Sequence, residues 1–484
     1  MKYKAVIGME VHVQLQTQSK MFCSCGADIF REPSNSRVCP VCMGMPGSLP
    51  VINRQAVKFA IMTGLALNCQ VAGYSVFARK NYNYPDLPKG YQISQYELPL
   101  CQGGWIEVKV DGQSRRIGIT RAHLEEDTAK LFHVGGVSLV DYNRSGIPLL
   151  EIVTEPDLRT PEEARQYLIK LRTILRYLDV STGDMEKGAM RCEANVSLCP
   201  LGSDEFGTKV EVKNLNSFRA VKLALEYEIQ RQAKVMDAGG AVEQVTMGWD
   251  ERRGITVVQR SKEYAADYRY FPEPDLPPLE VSRQWVEELR SQLPELPDVE
   301  RERFMRDHGL SAYDAGLLAA DRAIARYFEA CVALYPEAKT VVNWITGDLF
   351  RWMNEIGTEI EAVRITPQNL VGLLRLVEKG TVSISSAREV FGIMFDTGRA
   401  AEEIVQERGL AQIADESALA QVVAQVLADN PGPVQQYLEG KETVVTFLMG
   451  QVMRATRGKA DPQVVRRLLQ GQLDAMRQAG MIDE

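Results

Sequence analysis

The sequence predicts an α+β region over residues 1–292, then all-helical chain in two parts, 293–405 and 406–484. The N-terminal region holds three stretches of strict two-residue alternation beside two long helical patterns. From about residue 299 apolar residues recur at the helical period of 3.6 with few strand signals. The proline-rich breaks PEPDLPP (272–278) and PELPD (294–298) separate the two regimes, since neither helix nor strand interior tolerates such spacing. At 484 residues the chain is too long for a single core.

The first strand is VIGMEVHVQL, residues 6–15. Ile7, Met9, Val11, Val13 and Leu15 take one face, and Gly8, Glu10, His12 and Gln14 the other. MRCEANVSL (190–198) repeats the pattern, with Arg191, Glu193, Asn195 and Ser197 opposite an apolar row. TKVEVKN (208–214) sets Lys209, Glu211 and Lys213 against Val210 and Val212. Helices are predicted over 161–178 and 217–237, the first with Thr160 as N-cap, Pro161 at its first position and Glu163 in capping-box register. Further helices are predicted around 314–334, 340–355, 367–378 and 384–395, and the breaks NPGP (430–433) and GKADP (458–462) divide the tail into short helices.

Residues 79–95, RKNYNYPDLPKGYQISQ, fit neither period. Arg79, Lys80 and Lys89 stand among Tyr82, Tyr84 and Tyr91, with Pro85 and Pro88 three apart, which suits an ordered loop around an anion as well as a proline-rich surface loop. Glu125 in RAHLEEDTAKL and Glu151, after the apolar run Ile147 to Leu150, are further acidic candidates. Together Glu10, His12, Glu125, Glu151, Glu193 and Glu211 could line one concave sheet face and hold divalent cations. Lys80, Arg191 and Lys213 could meet developing phosphoryl charge. Solvated strand faces with unrelated ion pairs are the competing account. No P-loop and no Gly-x-Gly-x-x-Gly after a strand is present, so nucleotide binding by those routes is excluded.

Cys23 and Cys25, then 13 residues, then Cys39 and Cys42 have the spacing of a tetrahedral zinc site; reduced free thiols are the alternative. Four cysteine ligands leave no open position, which favours a structural over a catalytic metal. A net charge of −8 argues against broad electrostatic nucleic-acid binding, though not against a local basic patch. No apolar run reaches 18 residues, and the N-terminal segment reads as a strand and not a signal peptide, so the expected location is cytoplasmic.

Nine ordered motifs carry a family resemblance: GMEVHVQL, CPVCMGMPGSLPVIN, RKNYNYPDLPKGYQISQ, HLEEDTAK, DYNRSGIPLLEIVTEPD, MRCEANVSL, KVEVKNLNSFR, DYRYFPEPDLPPL and FLMGQVMRATRGKADP. From about residue 3 to the C-terminus the chain resembles the B subunits of glutamyl/aspartyl-tRNA amidotransferases (GatB). The resemblance implies a glutamine-synthetase-like cradle, a helical domain and a YqeY-like tail. It implies a heterotrimer with an amidase, the A subunit, plus a small C subunit. That complex uses ATP and Mg²⁺ to phosphorylate the side-chain carboxylate of Glu-tRNA(Gln) or Asp-tRNA(Asn), and ammonia released from glutamine by the amidase then displaces the phosphate.

Carried over by position, His12, Glu125 and Glu151 would bind Mg²⁺. Glu10, Glu193 and Glu211 would add a second metal or nucleotide contact, and Lys80, Arg191 and Lys213 would meet phosphates. Where many relatives read Arg-Cys-Asp-x-Asn this chain has Glu193 and Ala194, which puts a direct metal contact by Glu193 in doubt. In the tail, Arg454, Arg457, Lys459, Arg466 and Arg467 face only Asp461 over residues 450–470, a pattern suited to tRNA phosphates; Arg454, Arg457 and Lys459 are the candidate contacts. A stand-alone amide ligase and a non-enzymatic zinc-containing RNA scaffold are the rival functions.

Overall fold

The strand Tyr3–Gln14 is buried at every second position, so the sheet built around it has one dry and one polar face. The computed structural model describes residues 2–203, 205–261, 267–410, 416–456 and 460–480. They form two compact units, Met1–Val299 and Glu300–Glu484.

In the first unit nine strands lie side by side. Their order is Ile255–Ser261, Val245–Asp250, Val210–Leu215, Met190–Pro200, Tyr3–Gln14, Pro148–Thr154, Gln113–Glu126, Cys101–Val110 and Gln70–Val71. Val210–Leu215 runs parallel to Val245–Asp250, and the other pairings are antiparallel. The helices Arg54–Ala66, Pro161–Tyr177 and Phe218–Asp237 cover the dry face. Ile7, Met9, Val11 and Val13 join Ala164, Tyr167, Leu168 and Leu171 in one core. Each helix starts on a side-chain cap, from Asn53, Thr160 and Ser217. Glu163 completes its capping box one residue early, accepting from Arg159 N at 2.7 Å.

Leu293 and Leu296 pack against this core, so the PELPD stretch belongs to the first unit. The second unit is helical throughout its described residues. One apolar cluster runs from Phe304 to Val405 and another from Leu419 to Leu473. The single helix expected around 314–334 is two, Ala312–Leu318 and Arg322–Leu334. Asp321 restarts the chain by accepting from Ala323 N at 2.9 Å and Ile324 N at 3.3 Å. Trp344–Leu349 forms a π turn between Ala338–Asn343 and Phe350–Ile356, inside the stretch expected to be one helix.

Candidate active site

Register puts the candidate residues of the strands on one face. Glu10 lies opposite Glu193, and His12 lies opposite Arg191 on one neighbour and Glu151 on the other. Glu151 in turn faces His123, and Glu125 is two residues further along that strand. Asn195 faces Glu211.

Three of these residues converge. His12 Nε2 is 3.2 Å from Glu125 Oε1 and 3.7 Å from Glu151 Oε2. One ligand atom from each of His12, Glu125 and Glu151 fits within 4.8 Å of the others, close to what a small divalent cation with ligands about 2.1 Å away needs. Ser94 Oγ also reaches Glu125, at 3.4 Å. Burial disfavours a charged His12, but the hydrogen bond and charge of Glu125, with Glu151, outweigh it and push the imidazole up to about 9. Burial likewise opposes ionisation of Glu151, yet His123, His12 and Lys80 hold that carboxyl far below the usual range. Lys80 is half-buried among Tyr82, Tyr268 and Tyr270. Desolvation works against its charge, while Glu125, Tyr270 and Glu151 hold the ammonium well above its ordinary range.

Glu10, Glu193 and Glu211 do not close into a comparable group among the described residues. Lys213 sits between two of them, 2.6 Å from Glu193 and 3.5 Å from Glu211, and Glu10 accepts from Asn195 Nδ2 at 2.8 Å. A bulge causes the first contact. Pairing slips between Cys192 and Ala194, so Lys213 and Asn214 together oppose Glu193, and Asn214 takes the left-handed conformation at φ 62°. Burial lifts the Glu193 carboxyl above its usual range in spite of Lys213.

The loop cations divide. Arg79 is bidentate on Glu273 at 2.7 Å through two nitrogens, stacks over Tyr91, and reaches Asp275 at 3.1 Å. Lys89 is paired with buried Glu126. The expectation that both would face an anionic ligand is corrected: each neutralises a carboxylate that would otherwise be buried unpaired, and of the three loop cations Lys80 alone neighbours the acidic cluster.

Two residues escaped the sequence. His123 Nε2 is 3.2 Å from Glu151 Oε2, and the alternation of Ala122–Glu126 could have placed it beside Glu125. Buried Asp127 takes Arg191 at 2.8 Å and Gln14 Nε2 at 2.9 Å, with Arg144 Nε at 3.7 Å. Burial resists its ionisation, but the two guanidiniums keep its carboxyl below the ordinary range and hold Arg191 in place.

Cys23, Cys25, Cys39 and Cys42 come together within 4.8 Å, which fits zinc, whose bonds of about 2.3 Å set tetrahedral sulfurs about 3.8 Å apart. Burial and the hydrogen bond that Cys25 donates to Cys39 push Cys25 up to about 11, while Cys42, accepting from Cys23, falls to about 5. Lys20, fully buried, lies with Nζ 3.7 Å from Cys42 Sγ and 3.3 Å from Tyr142 O. Gly146, at φ 87°, lets its loop pass this pair; a Cβ there would meet Lys20 Cδ at 3.4 Å and Cys42 Cβ at 3.5 Å. The remaining five cysteines are buried free thiols, Cys69 lying near Cys101.

Of the tail candidates, Arg454 is exposed near the end of Val444–Ala455, and Arg457 and Lys459 lie outside the described residues. Arg467 is already paired with Glu416. No helix among the described residues is long and apolar enough to cross a membrane.

Comparison with known proteins agrees with this layout. Residues 5–287 match the family model of the GatB/GatE catalytic domain, and residues 326–473 match the GatB domain model that carries the Yqey name. The B subunit of the aspartyl/glutamyl-tRNA(Asn/Gln) amidotransferase of Moorella thermoacetica is 58% identical, over 98% of this chain and 100% of its own length. Proteins of the same name from Thermoanaerobacter pseudethanolicus and Thermodesulfovibrio yellowstonii are 54% and 52% identical, over 98% and 97% of this chain and 100% and 99% of their own. The chain belongs to the GatB family of aspartyl/glutamyl-tRNA(Asn/Gln) amidotransferase B subunits.

Proposed function

We propose that this chain is the activating subunit of a glutamine-dependent tRNA amidotransferase. It amidates Glu-tRNA(Gln), Asp-tRNA(Asn) or both, using ATP, in a cytoplasmic heterotrimer with an amidase (the A subunit) plus a small third chain (the C subunit). The observation that carries this is the convergence of His12, Glu125 and Glu151 on a polar sheet face beside Lys80. A carboxylate oxygen of the aminoacyl side chain attacks the γ-phosphorus, and the bond to ADP breaks. Ammonia then attacks the acyl carbon, the bond to phosphate breaks, and loss of a proton leaves the amide.

His12, Glu125 and Glu151 would hold Mg²⁺, which when bound supplies positive charge at the transferring phosphoryl group. Lys80 stays charged under the influence of the same carboxylates. Arg191, fixed by Asp127, presents a rigid donor to phosphate oxygens. Lys213 offers a second, held between Glu193 and Glu211. Glu10, Glu193 and Glu211 would add a contact to the nucleotide or to a further cation. The four thiolates would hold zinc, which ties down the loop over residues 23–42. A cradle whose core takes in Leu293 and Leu296, a helical domain to about residue 405 and a tail whose Arg454, Arg457 and Lys459 meet tRNA phosphates make up the chain.

Amide formation on Glu-tRNA, with ATP and glutamine, tests the function. It should require this chain together with its partner subunits. Amidation of a free acid by the chain alone would favour the stand-alone ligase. Binding of tRNA by the assembled complex with no amidation at all would favour the scaffold.

A further inference from the structure

The cavity that contains Arg191, Glu193 and Lys213 measures about 1290 Å³, above the roughly 300–1,000 Å³ that holds one small ligand. It has room for a nucleotide and for part of a second substrate. Phe30 and Phe132 line the same cavity, 68% and 41% exposed. Folding gains little from leaving two phenyl rings in water. Phe132 stands on the hairpin of Lys130–Val134 and Val137–Asp141. It pairs with Leu139, and Val134 pairs with Val137, so all four share one hairpin face, and all four are exposed. Each of the two rings has a lysine beside it. Lys187 Nζ is 5.9 Å from the centre of Phe30, and Lys130 Nζ is 4.8 Å from the centre of Phe132.

Aromatic faces interleaved with cations are the chemistry that takes single-stranded nucleic acid, rings under bases and ammonium groups near phosphates. Resting on the function proposed above, we infer that Phe30 and Phe132 stack the unpaired bases at the 3′ end of the aminoacyl-tRNA. The acyl group sits on the terminal nucleotide. Arg191, Glu193 and Lys213 of the polar sheet face line this cavity, so an acyl carboxylate delivered through it arrives at that face with the bases behind it along the walls. Stacking is indifferent to base identity, so the same rings serve any tRNA end, and selection among tRNAs falls to contacts elsewhere.

The test uses the assembled complex and tRNA carrying 2-aminopurine in place of the 3′-terminal adenine, a base whose fluorescence falls on stacking. Wild type should quench it. Phe30→Ala and Phe132→Ala should relieve the quenching and raise the KM for aminoacyl-tRNA, by roughly 5- to 150-fold for each stacked base lost. Phe132→Tyr should restore both, and the KM for ATP should hold. Both rings are solvent-exposed, so the melting temperature serves as the folding control. Unchanged quenching and KM in both alanine variants would overturn the inference while leaving the amidotransferase function intact. A rise in the KM for ATP alone would also overturn it, because the rings would then serve the adenine of the nucleotide. A wild-type complex without amidation would instead overturn the function itself.

Discussion

His123 Nε2 lies 3.2 Å from Glu151 Oε2, the same oxygen that is 3.7 Å from His12 Nε2. One histidine therefore fixes the carboxylate that a second also contacts. His123 is buried, and its Nδ1 has no hydrogen-bond partner, so the contact to Glu151 is the polar interaction that holds the ring. Residues that orient metal ligands typically contribute 10- to 100-fold to metal affinity. His123→Ala should raise the Mg²⁺ concentration for half-maximal amidation by roughly that factor, with the KM for tRNA unchanged. A lower melting temperature with an unaltered Mg²⁺ requirement would make His123 a packing residue only.

Glu125→Ala and Glu151→Ala should each abolish amidation. Metal charge at a transferring phosphoryl group contributes several kcal/mol, so the loss should exceed about a hundredfold. Glutamine hydrolysis in the assembled complex should persist, because that chemistry belongs to the partner amidase. Full amidation by both variants would remove the metal assignment.

In the metal-free chain the His12 imidazole is pushed up to about 9 by its two carboxylates. At neutral pH an imidazolium therefore occupies the place a cation would take, and binding must expel its proton. Divalent-ion affinity should rise with pH and level off above about 9, with about one proton released per ion. The sign for stability is opposite. A raised folded-state value stabilises the metal-free chain fully below about 6.5, and that contribution is lost as pH rises through about 9. Mn²⁺ titrations and melting in chelator across pH 6–10 check both, and a His12→Asn variant should flatten both profiles.

Purified protein should hold about one zinc per chain, lost in a Cys39→Ser, Cys42→Ser double variant. A fully folded, zinc-free wild type would defeat the assignment.

Period-two alternation carried most of the site. It set Glu10 and His12 on one face and Arg191 and Glu193 on another, and pairing then laid those faces side by side. What it could not carry was the partner across the strand or loop. Arg79 and Lys89 look like ligand-binding cations until Glu273 and Glu126, 194 and 37 residues away, take them up. Asp127 sits one residue past a strand end, where alternation no longer assigns a face. The break before Asp321 has neither proline nor glycine, so the helix looked continuous, although the aspartate itself was a readable N-cap. The Lys213–Glu193 contact depends on a bulge at Asn214, which no single strand's sequence announces.

The tail separates electrostatic anchoring from catalysis. Arg454 is exposed, and Arg457 and Lys459 follow it in one basic stretch, so their expected partners are tRNA phosphates and not base edges. Removing each contact should weaken binding alike across tRNAs and lower the salt slope by roughly 0.7–0.9. Arg467 should matter less, because Glu416 already holds it. Truncation after Leu410 keeps the Ala401–Arg408 helix with its left-handed Gly409 cap, and the Phe304–Val405 cluster, whole. The shortened chain should fold, assemble and support glutamine hydrolysis, with a KM for aminoacyl-tRNA raised more than in any single variant. ATP hydrolysis without tRNA, where measurable, should not change, since the residues removed lie outside the unit that holds His12, Glu125 and Glu151. An unaltered KM after truncation would leave the basic stretch as a solvated helix end and give the tail some purpose other than tRNA.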